Sequence, residues 1–298
     1  MEHLTKFNLL KEVIASYRSV LVAFSGGVDS AFVLKVARDV LGRERAKAVT
    51  AESESVPARE LEEAKALARE LDVEHRVIQT RELENEQYRK NPINRCYFCK
   101  TELYEHLIPI AKEWRLDTIC NGTNVDDLTD FRPGLNAAHE HGVKSPLAEA
   151  KLTKEEIRAL SREIGLPVWD KPAAPCLSSR FPYGHEITPE KLKQVETGEN
   201  FLKDLGFKIV RLRHFGTKAR LELGRDEFVH VMDVSLRTQI TEFILSLGFK
   251  TVVFEPYESG RLNRENQQPP SLRAKQSNLE IASASLGLLP RNDVDLKS

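Results

Sequence analysis

Short apolar runs alternate with amphipathic stretches through the first half of the chain. The run "SVLVAFS" (19–25) reads as a buried strand, and the apolar positions after it, Val33, Val36, Ala37, Val40 and Leu41, follow the spacing of a helix face. "AKAVTAES" (46–53) predicts a second strand. Pro57 opens a helix with Leu61, Ala64, Leu67, Ala68 and Leu71 on one face. "EHRVIQT" (74–80) and "DTICNGTN" (117–124) predict a third and a fourth strand. Between them "KTELYEHLIPIAKEW" (100–114) is helical, with a kink expected at Pro109. "TKEEIRALSREIGLP" is another helix, started by a capping box of Thr153 and Glu156 and ended by Gly165 and Pro167. Strands alternating with helices imply an α/β fold, a doubly wound parallel sheet covered on both faces.

The texture changes after residue 167. "PVWDKPAAPCLSSRFPYGHEITP" holds five prolines and excludes regular helix. From Thr188 the order reads helix, strand, strand, helix, strand. "FLKDLGFKIVRL" (201–212) and "FILSLGFKTVVF" (243–254) look like two copies of one helix-to-strand unit. The expected organisation is an α/β domain over 1–185, a small α+β domain over 186–262, and a mostly loose polar tail over 263–298 in which "LEIASASLGLLP" could dock locally.

Composition narrows the class. The net charge of −1 gives no basic excess to attract nucleic acid. The N-terminal residues lack a basic segment leading into an apolar one, and no apolar run approaches the ~18 residues of a membrane span, so neither secretion nor a membrane is expected. Four cysteines, Cys96, Cys99, Cys120 and Cys176, are too few for a disulfide scaffold in a chain of 298 residues, which favours a reducing cytoplasm.

The first chemical signal is "SGGVDS" (25–30), between an apolar run and a helical pattern. A glycine-rich turn from a strand into a helix presents backbone N–H groups and the positive helix end, and Ser25 and Ser30 add hydroxyls. A phosphate or pyrophosphate suits it. The lysine of a Walker loop is missing, as are the three spaced glycines of a dinucleotide fingerprint. Asp29 suits a loop whose carboxylate holds Mg²⁺, orients donors or caps the helix. A plain strand–helix turn with an Asp or Ser cap is the alternative. The stretch resembles the Ser-Gly-Gly-x-Asp-Ser loop of the PP-loop ATP pyrophosphatases, the adenine nucleotide alpha hydrolase-like fold. That resemblance implies cleavage of ATP between its α and β phosphates. Ser25, Gly26, Gly27, Asp29 and Ser30 would hold the pyrophosphate end with Mg²⁺, and Ala51 would lie near the adenine.

Three further stretches narrow the choice. "CNGTNVDDLTDFRPG" (120–134) places Gly122, Thr123 and Asn124 at a strand end, followed by Asp126 and Asp127, a pair able to hold Mg²⁺ or simply to cap a turn. "SPLAEAKLTKEEIRAL" (145–160) resembles the Ser-Pro-Leu segment of PP-loop sulfur-transfer enzymes. "PCLSSRFPYG" (175–184) resembles the LarE family, and the resemblance extends over about residues 10–262. Its members are ATP-dependent sulfur insertases for the nickel-pincer nucleotide. The resemblance implies adenylation of a carboxylate of pyridinium-3,5-biscarboxylic acid mononucleotide, then replacement of AMP by sulfur. Some members sacrifice the cysteine at the position of Cys176. Others use three cysteines and a [4Fe–4S] cluster fed by a sulfide donor. Cys96, Cys99 and Cys176 match the second pattern.

"NRCYFCK" brings two thiols to one metal centre, and Cys176 would complete three thiolates with one iron left open. Zinc with His185 or His214, a redox Cys-x-x-Cys pair and free core thiols are the alternatives. Cys120 ends an apolar strand and reads as core. Lys100 could stabilise the charge of the acyl-adenylate or the departing pyrophosphate, or be a surface lysine. Arg180 could meet the substrate or AMP phosphate. Arg211 and Arg213 share a strand face. The family resemblance implies that they hold the substrate phosphate at the interface of a homo-oligomer, and a solvated edge is the alternative. A tRNA thiolase of the same superfamily and a non-catalytic nucleotide sensor are the competing functions. The absence of a further Cys-x-x-Cys pair argues against the first, and the three thiols argue against the second.

Overall fold

The computed structural model describes residues 2–128 and 132–267. It divides into two units, Met1–Glu196 and Thr197–Ser298. In the first, the apolar runs form β1 (Val20–Ala23), β2 (Ala46–Glu52), β3 (Glu74–Gln79) and β4 (Thr118–Cys120). All pair in parallel, in the order β3-β2-β1-β4. The helices are α1 (Glu2–Ser16), α2 (Val28–Leu41), α3 (Ala58–Glu70), α4 (Glu86–Arg89), α5 (Arg95–Glu113), α6 (Val125–Leu128), α7 (Gly134–Glu140), α8 (Pro146–Glu149) and α9 (Lys154–Glu163).

The pleat sends alternate strand residues into two cores. Val20, Val22, Ala46, Ala48 and Cys120 pack with Leu10 of α1, Phe32 of α2 and Ile157 of α9. Leu21 and Val49 pack on the other face with Leu103 and Leu107 of α5 and Ala137 of α7. Cys120 is thus core, fully buried in an apolar cluster. The sheet is a doubly wound parallel sheet with helices on both faces, as the alternation of patterns predicts. The chain moves outward from β1 through β2 to β3, then returns to place β4 on the other side of β1. That reversal falls between β1 and β4, and the carboxyl ends of the strands at such a point are where open α/β sheets bind ligands.

Helix α5 starts at Arg95, five residues before the apolar periodicity begins, and continues through Pro109. Its first turn carries thiols and charges, so no apolar stripe announced it. The capping box forms as predicted: the Glu156 N–H donates to Thr153 Oγ1, and the Glu156 carboxylate accepts the Thr153 N–H.

In the second unit β5 (Val210–Phe215) pairs antiparallel with β6 (Lys218–Leu223), which pairs parallel with β7 (Thr251–Pro256). Helix α10 (Pro189–Asp204) leads into β5, and α11 (Val234–Ser246) leads into β7. These are the two sequence copies, and their equivalent phenylalanines, Phe201 and Phe243, stack with ring centroids 3.8 Å apart. A last helix, α12, covers Arg261–Gln267. The stretch "LEIASASLGLLP" lies outside the described residues. Among those residues no helix is long and apolar enough to cross a membrane.

Candidate active site at the strand-order reversal

The turn Ser25–Ser30 leaves the carboxyl end of β1 and enters α2, with Gly27 as the N-cap residue. Gly26 has φ +72°, and a side chain there would meet Ala64 Cβ of α3 at 2.8 Å. Both backbone conformation and close packing therefore require glycine. The Ser25 and Ser30 hydroxyls lie 3.1 Å apart, the Ser25 N–H points at Ser30 Oγ, and Ser30 Oγ–H donates to the Gly27 carbonyl. The turn is braced from below. Thr50 Oγ1–H donates to the Phe24 carbonyl at 2.7 Å, and His75 Nε2 lies 2.8 Å from Thr50 Oγ1. Burial, then the charges of Lys65 and Arg69, lower the His75 pKa to about 4. The ring is neutral, and with Thr50 already donating to Phe24, His75 Nε2–H is the donor.

The segment after β4 closes on this turn. A side chain at Gly122 would approach the Ser30 nitrogen to 2.7 Å and the Asp29 carbonyl carbon to 3.0 Å. Gly122 is where the two segments touch, backbone to backbone. The Thr123 N–H donates to Asn121 Oδ1. Asn124 Nδ2–H donates to Asp29 Oδ1 at 3.3 Å. Asp126 accepts the first N–H of α9, from Lys154, at 2.7 Å, and Asp127 accepts the Asn124 N–H and pairs with Arg132.

Lys154 is a site residue that sequence reasoning passed over. Its ammonium forms an ion pair with the Asp29 carboxylate. The available signal was a cation at the first position of a helix, where the helix dipole disfavours positive charge. A lysine there calls for an anionic partner in space, and Asp29 is 125 residues away in sequence.

The thiols gather in the same unit. Cys96 and Cys99 stand three residues apart in the first turn of α5, so they share a face. Cys176 begins a 3₁₀ turn, Leu177–Arg180, whose Leu177 N–H donates to the Ser55 carbonyl beyond β2. Cys96 is exposed, and Cys99 and Cys176 are partly buried. Cys99 lies within electrostatic range of the other two: burial, then Glu82, pushes its thiol well up, Lys100 opposes this, and Cys176 and Cys96 add to it. Lys100 lies within electrostatic range of all three. Burial pulls its pKa down, but Tyr104, Cys99, Cys96 and Cys176 outweigh that, and it ends raised. Glu82 is 2% exposed; its Oε1 accepts Ser53 Oγ–H at 2.6 Å and Ser55 Oγ–H at 2.5 Å. Arg180 turns back on its own segment, with Nη1 donating to the carbonyls of Pro175 (2.6 Å) and Cys176 (3.1 Å). Among the described residues no three His, Cys, Asp or Glu side chains are arranged to hold a single metal ion. A cubane cluster spreads its thiolates over separate irons, wider than the ligands of one ion. Three thiols with the cations Arg95 and Lys100 in electrostatic range are the donor types such a cluster takes.

Arg211 and Arg213 belong to the second unit, on its edge strand β5. Both are buried. Arg213 pairs with Glu222 at 2.8 Å, and the Arg211 guanidinium lies 5.6 Å from the Tyr257 ring centroid.

Residues 3–93 match the NAD synthase family model. A glutamine-dependent NAD(+) synthetase of Aquifex aeolicus is 42% identical over 67 residues, 22% of this chain and 12% of that protein. An uncharacterised protein of Synechocystis is 47% identical over 87% of this chain and 97% of its own length. The pyridinium-3,5-bisthiocarboxylic acid mononucleotide synthase of Lactiplantibacillus plantarum is 37% identical over 87% of this chain and 94% of its length. With the Ser25–Ser30 loop at the reversal of a parallel sheet, this likeness over nearly the whole relative places the chain in the LarE-type family of PP-loop enzymes.

Proposed function

We propose that the protein is an ATP-dependent sulfurtransferase acting on pyridinium-3,5-biscarboxylic acid mononucleotide, in synthesis of the nickel-pincer nucleotide. The observation that carries this reading is the presence, in one unit, of a complete Ser-Gly-Gly-x-Asp-Ser loop at the strand-order reversal and of Cys99 within electrostatic range of both Cys96 and Cys176. A carboxylate oxygen of the substrate attacks the α-phosphorus of ATP, and pyrophosphate leaves. A sulfur nucleophile then attacks the acyl carbon, and the bond to the AMP oxygen breaks. Ser25, Gly26, Gly27 and Ser30 cradle the pyrophosphate with backbone and hydroxyl donors. Asp29 would hold Mg²⁺, which when bound supplies positive charge to the phosphates, and Lys154 balances the charge gathered there. Gly122 and Thr123 complete the rim of the nucleotide site, with Asp126 a second carboxylate for the metal. Lys100 stabilises charge on the acyl-adenylate.

For sulfur, Cys96, Cys99 and Cys176 would hold a [4Fe–4S] cluster, which when bound supplies an open iron for sulfide. Arg180 fixes the carbonyl of Cys176 and so the start of that segment. Arg211 and Arg213 receive the substrate phosphate in a homo-oligomer, and a sulfide donor in the cytoplasm replenishes the sulfur.

The test is anaerobic incubation with ATP and either the pyridinium mononucleotide or tRNA, followed by pyrophosphate release and product mass. The expected result is pyrophosphate and thiocarboxylate with the mononucleotide. Thiolated tRNA would transfer the reading to the tRNA enzymes, and no pyrophosphate with either would reject catalysis.

A further inference from the structure

The residues just before the Cys-x-x-Cys pair are bonded to the segment that carries the third thiol. Tyr88 Oη lies 2.7 Å from Ser178 Oγ. Arg95 Nη1–H donates to the Ser178 carbonyl at 2.9 Å and to Asn91 Oδ1. Asn91 Nδ2–H donates to the Pro182 carbonyl at 2.7 Å, and the Asn91 carbonyl accepts the Gly184 N–H at 2.9 Å. The Ile187 N–H donates to the Arg89 carbonyl at 2.9 Å.

Asn91 is the hub. It is fully buried, its φ is +51°, and its two amide groups and its carbonyl are all engaged. A left-handed backbone outside glycine persists where its surroundings hold it. Arg95 is 5% exposed and pairs with no carboxylate among the described residues. It lies within Coulombic range of Cys176 and Cys96. A buried guanidinium given only neutral acceptors is costly, so its place needs a reason. Arg95 adjoins Cys96 on a rigid helix, and its acceptor Ser178 lies two residues after Cys176. One side chain therefore spans from one thiol's neighbour to the other's. The phosphate loop makes none of these contacts.

We infer that Tyr88, Asn91 and Arg95 are positioning residues for sulfur delivery, locking 176–184 onto the start of α5 so that the Cys176 sulfur keeps a fixed place against Cys96 and Cys99. The inference deepens the sulfurtransferase reading and rests on it for its activity readout. Loosening the lock moves thiols and leaves ATP chemistry in place. Misplacement of a reacting group by about 1 Å costs on the order of 100-fold in rate.

The test uses Arg95→Lys, which keeps the charge but not the planar fork, and Tyr88→Phe, which removes one hydroxyl. In each, pyrophosphate release and thiocarboxylate formation are measured separately. In the full-length chain freed of iron, a bis-alkylating bimane then reports, by peptide mass, the yield of cross-links from Cys176 to Cys96 or Cys99. Thiocarboxylate formation should fall about tenfold or more in Arg95→Lys and several-fold in Tyr88→Phe, with pyrophosphate release within about twofold of wild type. The cross-link should form in the wild type and drop several-fold in both variants, with single alkylation of each thiol unchanged. Equal loss of both activities, no change in either, or an unchanged cross-link yield overturns the inference. So does a wild type that gives no cross-link. If the wild type makes no thiocarboxylate, the functional reading fails and the cross-link alone decides. Should Arg95→Lys not fold, Tyr88→Phe decides.

Discussion

Asp29 accepts from Asn124 and pairs with Lys154 at the head of the phosphate loop, so it gathers contacts from β4 and α9 onto one carboxylate. Asp29→Ala is expected to lower pyrophosphate release by about 100-fold or more, since groups placed on developing charge are worth that much. Lys154→Met should lower it in the same direction by about 10-fold or more. Both variants should stay folded by circular dichroism, because the two side chains are part-exposed. Gly122→Ala should fail differently. Its methyl collides with the backbone of Ser30 and Asp29, costing about 1–3 kcal/mol in thermal unfolding and weakening ATP binding. His75 supplies a pH signature. Its folded pKa is lowered to about 4 while the unfolded ring titrates near 6.5, so the unfolded chain binds more protons between those values. The stability His75 contributes is complete above about pH 6.5 and is lost as pH falls toward 4, by about 1–2 kcal/mol after discounting for partial exposure. His75→Gln should flatten thermal midpoints measured across that window. The loop serines, glycines and aspartate were legible because they are contiguous. Lys154, Tyr88 and Asn91 were not, because each acquires its role from a partner distant in sequence.

At the level of elements, hydrophobic period located the strands and six of the twelve described helices because a half-buried face must repeat with the backbone. The start of α5 escaped this logic. Its first turn is fixed by what the thiols, Arg95 and Lys100 face, and α7 packs against it so closely that a side chain at Gly134 would come within 3.1 Å of Lys100 Cγ. The thiols divide accordingly. Cys96→Ala, Cys99→Ala and Cys176→Ala should each abolish multiple-turnover sulfur transfer and iron-dependent absorbance, while ATP binding by calorimetry is retained. Cys120→Ala, in the strand core, should cost only about 1–2 kcal/mol of stability and leave turnover intact.

Across the whole molecule, the order β3-β2-β1-β4 explains why residues 25–30, 122–127 and 154 meet: all lie on one edge of the sheet, at the reversal. The alternating sequence pattern implied such a sheet but not its strand order, which depends on long-range pairing. The second unit follows another logic. Glu222, fully buried, pairs with Arg213 at 2.8 Å and Arg220 at 3.1 Å. The alternation of Arg211 and Arg213 was legible as a shared face; the carboxylate on the neighbouring strand was not. Glu222→Ala leaves buried guanidinium charge without this partner and should cost about 3–5 kcal/mol. Hydrogen exchange should quicken in β5, β6 and β7 far more than in β1–β4.

The anchors of the Cys176 turn are largely main-chain groups: the carbonyls of Ser55, Pro175, Cys176, Ser178 and Pro182, and the amides of Leu177 and Gly184. None of them depends on which side chain stands at position 176. A change of side chain at 176 therefore leaves these bonds standing, and Cys176→Ser should keep the turn's protection from proteolysis while removing the thiol. Where the atom sits and what the atom is can thus be altered one at a time.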